Sequence, residues 1–309
     1  MVRLAPTVGA AFADLYAEVG TSARTEQMAL VDRRLAQLLR DDPEPEDRVD
    51  PRVSADKLDQ LPQWSTSPRF SEEDRTCLDF AEQFVIDVAG LDDQRRARLA
   101  AVLGQPGLLD FVVTLFALDY GRRVTMVLRR LFPHDPVLAP AGATNGVGPV
   151  GGPSTGLAGL GAFDRLSRSI ALLDALDPVT TELVRLRGAR QHNCRLCRST
   201  RSVGALEAGA DEVLFASTER YEASDLPEPQ KVALRLTDAM VTQPSSIDTA
   251  LADQVHRWYT PVQVVELVMD VMRNSGQKIA VALAADEPHV TSGVERFVIT
   301  ASGDVEYLA

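Results

Sequence analysis

DPVTTELVRLRGARQHNCRLCRSTRSVGALEAGADE, residues 177–212, is the stretch on which the reading of this chain turns. Asp177-Pro178 marks a helix start, because an aspartate side chain accepts from free backbone N–H groups and proline fits the first helical position. Glu182 lies in the first turns of that helix. Cys194 follows after eleven intervening residues, and Cys197 after two more. A carboxylate helix therefore leads straight into a C-x-x-C pair. Asn193 is placed to cap a second helix, which the pattern predicts to continue through Val203 and Leu206 to a stop at Gly209.

With Asn193 as the cap, both cysteines fall in the first turn. Free N–H groups and the positive end of the helix dipole stabilise a thiolate there, lowering a cysteine pKa from about 8.5 toward roughly 7 or below. Arg195, Arg198 and Arg201 add to that effect. A thiolate attacks a peroxide oxygen or a disulfide sulfur, and a second thiol two residues away resolves the sulfenic acid or mixed disulfide that results. The N-terminal cysteine of such a pair is usually the more exposed one, but sequence leaves the order open. Glu182 has two readings: a partly buried carboxylate that relays a proton to or from a thiol, or a surface glutamate favoured by the helix dipole. His192, two residues before Cys194, is a loop histidine or a substitute proton carrier. A zinc site would need about two ligands beyond the cysteines, and no histidine pair at ligand spacing supplies them.

Outward from this stretch the chain repeats itself. Sliding it by 156 residues places Thr25-Glu26 on Thr181-Glu182, Leu78 on Leu234, Val85 on Val241, Asp92 on Asp248 and Asp110 on Glu266. A shift smaller by one places Gly121-Arg-Arg-Val on Gly276-Gln-Lys-Ile. The pattern implies a duplication with two similarly folded halves. Apolar residues at Leu108, Leu109, Val112, Leu115 and Phe116, and at Val264, Val265, Val268 and Val271, recur at helical spacing in both. At the positions of Cys194, Cys197 and Arg201 the first half has Leu38, Asp41 and Pro45, so it lacks the dithiol, and Glu26 reads as an ordinary helix carboxylate. The acidic run from Asp41 to Asp47 would break the helix there. An Ala/Gly/Pro/Ser-rich stretch then separates the halves, giving a first domain over 1–137, a linker over 138–160 and a second domain over 161–309. Residues 296–308 alternate like two short strands around Ser302-Gly303, a small C-terminal hairpin. The expected fold class is all-α with two tandem domains.

The 309 residues are 45% hydrophobic and 25% charged, a composition that buries a sizeable core. A net charge of -12 repels nucleic acid and anionic membranes, so neither is an expected partner. No apolar run reads as a membrane span, and the N-terminus, with Pro6, Asp14 and Glu18, is unlike a secretory signal. Cytoplasmic residence is the default expectation. Three cysteines are too few for a disulfide framework, and Cys77 reads as a small core residue.

Glu182, Cys194, Cys197 and the following Gly209-Ala210-Asp211-Glu212 together resemble the carboxymuconolactone decarboxylase-like superfamily, specifically its alkylhydroperoxidase AhpD-like branch. The full resemblance covers about residues 165–285, and residues 10–130 resemble the same fold without its motif. It implies an all-helical, duplicated, oligomeric protein that works without a bound cofactor. It also implies roles: Cys197 as the peroxide-attacking thiol, Cys194 as its resolving partner, Glu182 in the proton relay. The sequence departs from the pattern at Arg201, where the family has a histidine. Arginine stabilises a thiolate but does not shuttle a proton.

The leading expectation is a thiol-dependent peroxidase or disulfide oxidoreductase that takes a hydroperoxide or small disulfide and is recharged by an external thiol reductant. Its rival is a degenerate, non-catalytic oligomeric scaffold or binding protein of the same fold, suggested by Arg201 and the silent first half. Lactone decarboxylation ranks last, since that branch does not depend on a C-x-x-C pair.

Overall fold

Capping side chains set where most of the helices begin. In the computed structural model, which describes residues 3–20, 25–41, 50–134 and 156–308, the first half consists of α1 (Pro6–Val19), α2 (Glu26–Leu39), α3 (Ala55–Gln60), α4 (Glu72–Asp87) and α5 (Asp93–Leu131). Thr25 caps α2, Ser71 and Asp74 form a reciprocal capping box on α4, and Asp92 caps α5. The second half runs α6 (Gly156–Ala171), α7 (Pro178–Gln191), α8 (Arg195–Arg198), β1 (Thr200–Ser202), α9 (Val203–Glu207), α10 (Glu212–Ala216), α11 (Glu228–Thr242), α12 (Thr249–Trp258), α13 (Pro261–Ser275), α14 (Gln277–Ala282), β2 (Glu295–Ile299) and β3 (Val305–Leu308). Asp177 caps α7, Asp248 caps α12, and Thr260 with Gln263 caps α13. The protein is mostly helical, with one small sheet.

The order of packing partners recurs along the chain. α4 lies against α2 and α5, and α11 lies against α7 and α13. A 3-10 turn follows α4 at Val88–Gly90 and α11 at Pro244–Ser246. Both halves interrupt the helix at the same point: at Gly104, where two helical runs of α5 meet through non-helical backbone whose φ of 72° is reached cheaply only without a Cβ, and at Thr260, its equivalent under the 156-residue shift, between α12 and α13. The halves differ in one place. Among the described residues between α2 and α4 stand α3 and a 3-10 turn, whereas α8, β1, α9 and α10 fill the corresponding interval.

The two halves share one core. α6 packs on α1 and α5, α13 packs on α5, and a single apolar cluster includes Phe12, Leu30, Phe84 and Phe116 together with Leu166, Leu234 and Val268. At Gly121 a Cβ would meet the Tyr16 hydroxyl at 1.6 Å, and at Gly276 it would meet the Phe163 ring at 2.2 Å. The two glycines paired by the self-comparison thus each admit an aromatic ring against the backbone. Charge is buried at the same seam: Asp119 lies between Arg123 at 2.6 Å and Lys278 at 2.8 Å, and Arg123 also donates to the carbonyls of Met240 and Val241.

The sheet has the order β1-β2-β3. β2 and β3 form the expected C-terminal hairpin, pairing Phe297 with Tyr307, and Gly303 takes a φ of 82° in its turn. β1 was not expected. Thr200-Arg201-Ser202 pairs in parallel with Glu295-Arg296-Phe297, so the predicted helix from Asn193 to Gly209 is broken into α8, a strand and α9. Two further expectations are corrected. Asn193 is not the cap, since it holds a φ of 50° and Cys194 caps α8 instead. Helix α6 begins at Gly156, inside the stretch assigned to the linker; residues 138–155 of that stretch, and 42–47 of the acidic run, lie outside the described residues. α2 ends at Leu39, with Arg40 in the left-handed region. By length and composition α5 is long and apolar enough to cross a membrane, contrary to the expectation from the sequence; Asp119, Tyr120 and Arg123 on it are sealed in the core.

Candidate functional site

Cys194 and Cys197 are joined as a disulfide, with Cα atoms 5.4 Å apart. The short helix between them is held from both sides of the sequence. Asp286 accepts from the backbone N–H of Arg195 through its carboxylate at 2.8 Å and from that of Leu196 through its carbonyl at 3.0 Å, and Cys194 Sγ accepts from Cys197 N–H at 3.2 Å. These contacts satisfy the first donors of α8, which is why the helix starts after Cys194 and not at Asn193. Burial opposes the charge on Asp286, but hydrogen bonds from the Arg195 side chain and backbone keep its carboxyl below the usual range. Asn193 instead accepts from Arg198 at 2.8 Å. Cys194 is 1% exposed and Cys197 9%, so the second cysteine is the more accessible, the reverse of the usual order.

Glu182 is buried, and its partner is Arg185, one turn along α7. The two side chains form a bidentate ion pair at 2.6 Å for each contact. Arg185 reaches on to the Cys197 carbonyl at 2.8 Å, the Thr200 carbonyl at 2.7 Å and the Thr200 hydroxyl at 3.2 Å, and its guanidinium lies over the Phe297 ring. Glu182 Oε1 also accepts from Ser202 N–H at 3.1 Å. One ion pair therefore ties α7 to the end of α8, to β1 and to the hairpin. Nothing in the motif pointed to Arg185, although its spacing of three from Glu182 is a helical salt-bridge spacing.

The disulfide faces a narrow cleft of about 100 Å3, also lined by Arg185, His192, Arg273, Asn274, Gln277, Phe297 and Tyr307. His192 is buried, and its Nε2 sits 3.0 Å from the Ser275 hydroxyl and 3.2 Å from that of Tyr120, a residue of the first half. Burial, with the cations Lys278 and Arg123 nearby, holds the ring well below the usual imidazole range. It is a neutral, hydrogen-bonded histidine in the wall of the cysteine cleft. Arg273 Nε and Asn274 Nδ2 are buried and have no hydrogen-bond partner among the described residues. One turn before them, burial raises Asp270 to about 7, partly offset by Arg273 and reinforced by Glu266.

Arg201 points away from the sulfurs. It forms a bidentate pair with Glu212 at 2.8 Å, donates to the carbonyls of Arg198 and Thr200, and lies over the Phe215 ring. Arg195 pairs with Asp286. The structure thus joins Cys194, Cys197, Glu182 and His192 around one cleft or its immediate support, and turns Arg195 and Arg198 of α8 and Arg201 of β1 toward a second cleft that the cysteines do not line. Cys77 is buried, and burial pushes its thiol up to about 12. Among the described residues no group of three His, Cys, Asp or Glu is gathered as a metal donor set.

No family model matches the chain. No solved structure matches it either. Among known proteins it is similar to two uncharacterized proteins from two strains of Mycobacterium tuberculosis, MT2376 and Rv2313c, each 36% identical over 238 residues that make up 77% of this chain and 82% of the relative. With that identity sustained over most of both lengths, the chain belongs to the family of these mycobacterial proteins.

Proposed function

We propose that the protein is a thiol-dependent oxidoreductase of the AhpD-like kind, acting on a hydroperoxide or a small disulfide through Cys197 and Cys194. The observation that carries this reading is the C-x-x-C disulfide set in a cleft, with Cys197 the less buried sulfur and its carbonyl anchored by the Glu182–Arg185 pair. In the reduced protein the Cys197 thiolate attacks the terminal oxygen of a hydroperoxide, the O–O bond breaks, and the alcohol leaves with a proton, giving a sulfenic acid. The Cys194 thiol then attacks that sulfur, forming the disulfide and releasing water. Two thiols of an external reductant restore the dithiol by exchange. No bound cofactor takes part. Glu182 acts through Arg185 as a positioning residue, and the neutral His192 stands where a proton could be handed across the cleft. A reducing compartment such as the cytoplasm and a homo-oligomeric state fit this role.

The pairing of Arg201 with Glu212, away from the sulfurs, favours a second reading in which the fold survives as a non-catalytic scaffold. Thiol counting and intact mass separate the two, before and after one equivalent of an organic hydroperoxide added to the reduced protein. The oxidoreductase loses two hydrogens rapidly, and a sulfenic acid is trapped only in Cys194→Ser. Peroxide consumption that continues unchanged in Cys197→Ser, or thiols inert to both peroxides and small disulfides, would sink the assignment.

A further inference from the structure

Beside α8 lies a second, larger cleft of about 450 Å3, which the cysteines do not line and into which Arg190, Arg195, Arg198 and Arg201 converge. Glu212 is the one carboxylate among its lining residues, in a chain whose net charge is -12. Like charges brought together at this density repel unless something neutralises them. Two of the four are neutralised from within: Arg201 by Glu212 and Arg195 by Asp286, each with a contact at 2.8 Å. The other two are not. Arg198 donates to the neutral Asn193 Oδ1 and forms no ion pair among the described residues. Arg190 donates to the Thr218 hydroxyl and meets a carboxylate only at 3.7 Å, that of Glu219, which is 70% exposed. Leu186 and Phe215 also line it, Phe215 beneath the Arg201 guanidinium.

We propose that this cleft binds a small organic oxyanion, a phosphate- or carboxylate-bearing molecule whose charged group is held by Arg198 and Arg190. Guanidinium forks suit both oxyanions, since their planar donors match two oxygens at once. The volume falls in the range of small-molecule sites. An acidic protein that gathers four arginines in one concavity, and leaves two of them without a close carboxylate, concentrates a positive field there against its own net charge. The site does not depend on thiol chemistry, because Cys194 and Cys197 line the other cleft.

Calorimetric titration of the full chain in about 0.1 M sodium chloride tests this, with inorganic pyrophosphate as the phosphate probe and tricarballylate as the carboxylate probe. Saturable one-site binding of at least one probe is expected, in both the oxidised and the reduced protein, and the tighter probe identifies the oxyanion. Arg198→Gln and Arg190→Gln each weaken it about tenfold, the loss of one charge-assisted hydrogen bond. Arg257→Gln, an exposed arginine on α12, leaves it unchanged. Absence of saturable binding by either probe, or an equal loss in Arg257→Gln, overturns the proposal, since the second result would mean diffuse charge screening with no site.

Discussion

The Asp119 carboxylate, from the first half, lies 2.8 Å from the Lys278 ammonium, from the second, and neither side chain meets solvent. Arg123 holds the other carboxylate oxygen at 2.6 Å. One buried anion thus serves two buried cations, and removing it leaves both without compensation. Asp119→Asn is expected to lower the unfolding free energy by about 3–5 kcal/mol, the range for breaking a buried pair from one side. Lys278→Met should cost less, because Asp119 and Arg123 still pair one to one and the thioether fits against the Phe84 and Tyr120 rings that Lys278 now covers. Urea denaturation of both variants checks the order; equal losses would contradict it.

The shared seam makes a further prediction about cooperativity. Trp64 stands in the first half and Trp258 in the second, one tryptophan reporting on each. Because one apolar cluster spans both halves, single-tryptophan variants are expected to unfold at the same urea midpoint. Two separate midpoints would mean that the halves are independent folding units joined only loosely.

Helical spacing and the self-match at 156 residues made most helices legible, because caps and apolar stripes are local properties. Asp92 and Asp248, aligned by that shift, each cap a helix. What escaped the sequence was long-range. The break after Arg198 depends on Glu295–Phe297, about a hundred residues on, taking Thr200–Ser202 into a sheet, and on Asp286 supplying acceptors to α8. The cysteine pair and Glu182 stood out by residue type and spacing. Arg185 did not, being one arginine among many in an arginine-rich chain. His192 was visible as a neighbour of Cys194, but its partners Tyr120 and Ser275 come from distant helices.

Arg185→Gln removes the cation that serves both Glu182 oxygens and three acceptors around Cys197 and Thr200. Glu182 then remains buried with Ser202 N–H as its remaining donor. A loss of about 3–5 kcal/mol in stability is expected. Release of the Cys197 carbonyl and of Phe297 should also slow alkylation of Cys197 in the reduced protein by several-fold at neutral pH, since a nearby cation favours the thiolate. Iodoacetamide kinetics followed by mass provide the check. An unchanged rate would confine Arg185 to a structural role.

Asp270 gives the stability a definite pH dependence. Burial raises its carboxyl to about 7 in the folded protein from 3.8 in the unfolded chain, and Oδ2 has no hydrogen-bond partner among the described residues. Between those two values the folded state retains a proton that the unfolded state releases. The contribution is therefore fully present below about pH 4, declines as pH rises toward 7, and stays lost above that. Asp270→Asn keeps the shape and never ionises, so it should match the wild type near pH 4 and exceed it by on the order of a few kcal/mol at pH 8. Arg273, the neighbouring cation, opposes the shift in the wild type and Glu266 reinforces it, so Glu266→Gln should narrow the gap. Unfolding free energies measured for the three proteins from pH 4 to 8 decide the matter: a difference between Asp270→Asn and wild type that does not grow with pH would mean that Asp270 is ionised in the folded core throughout.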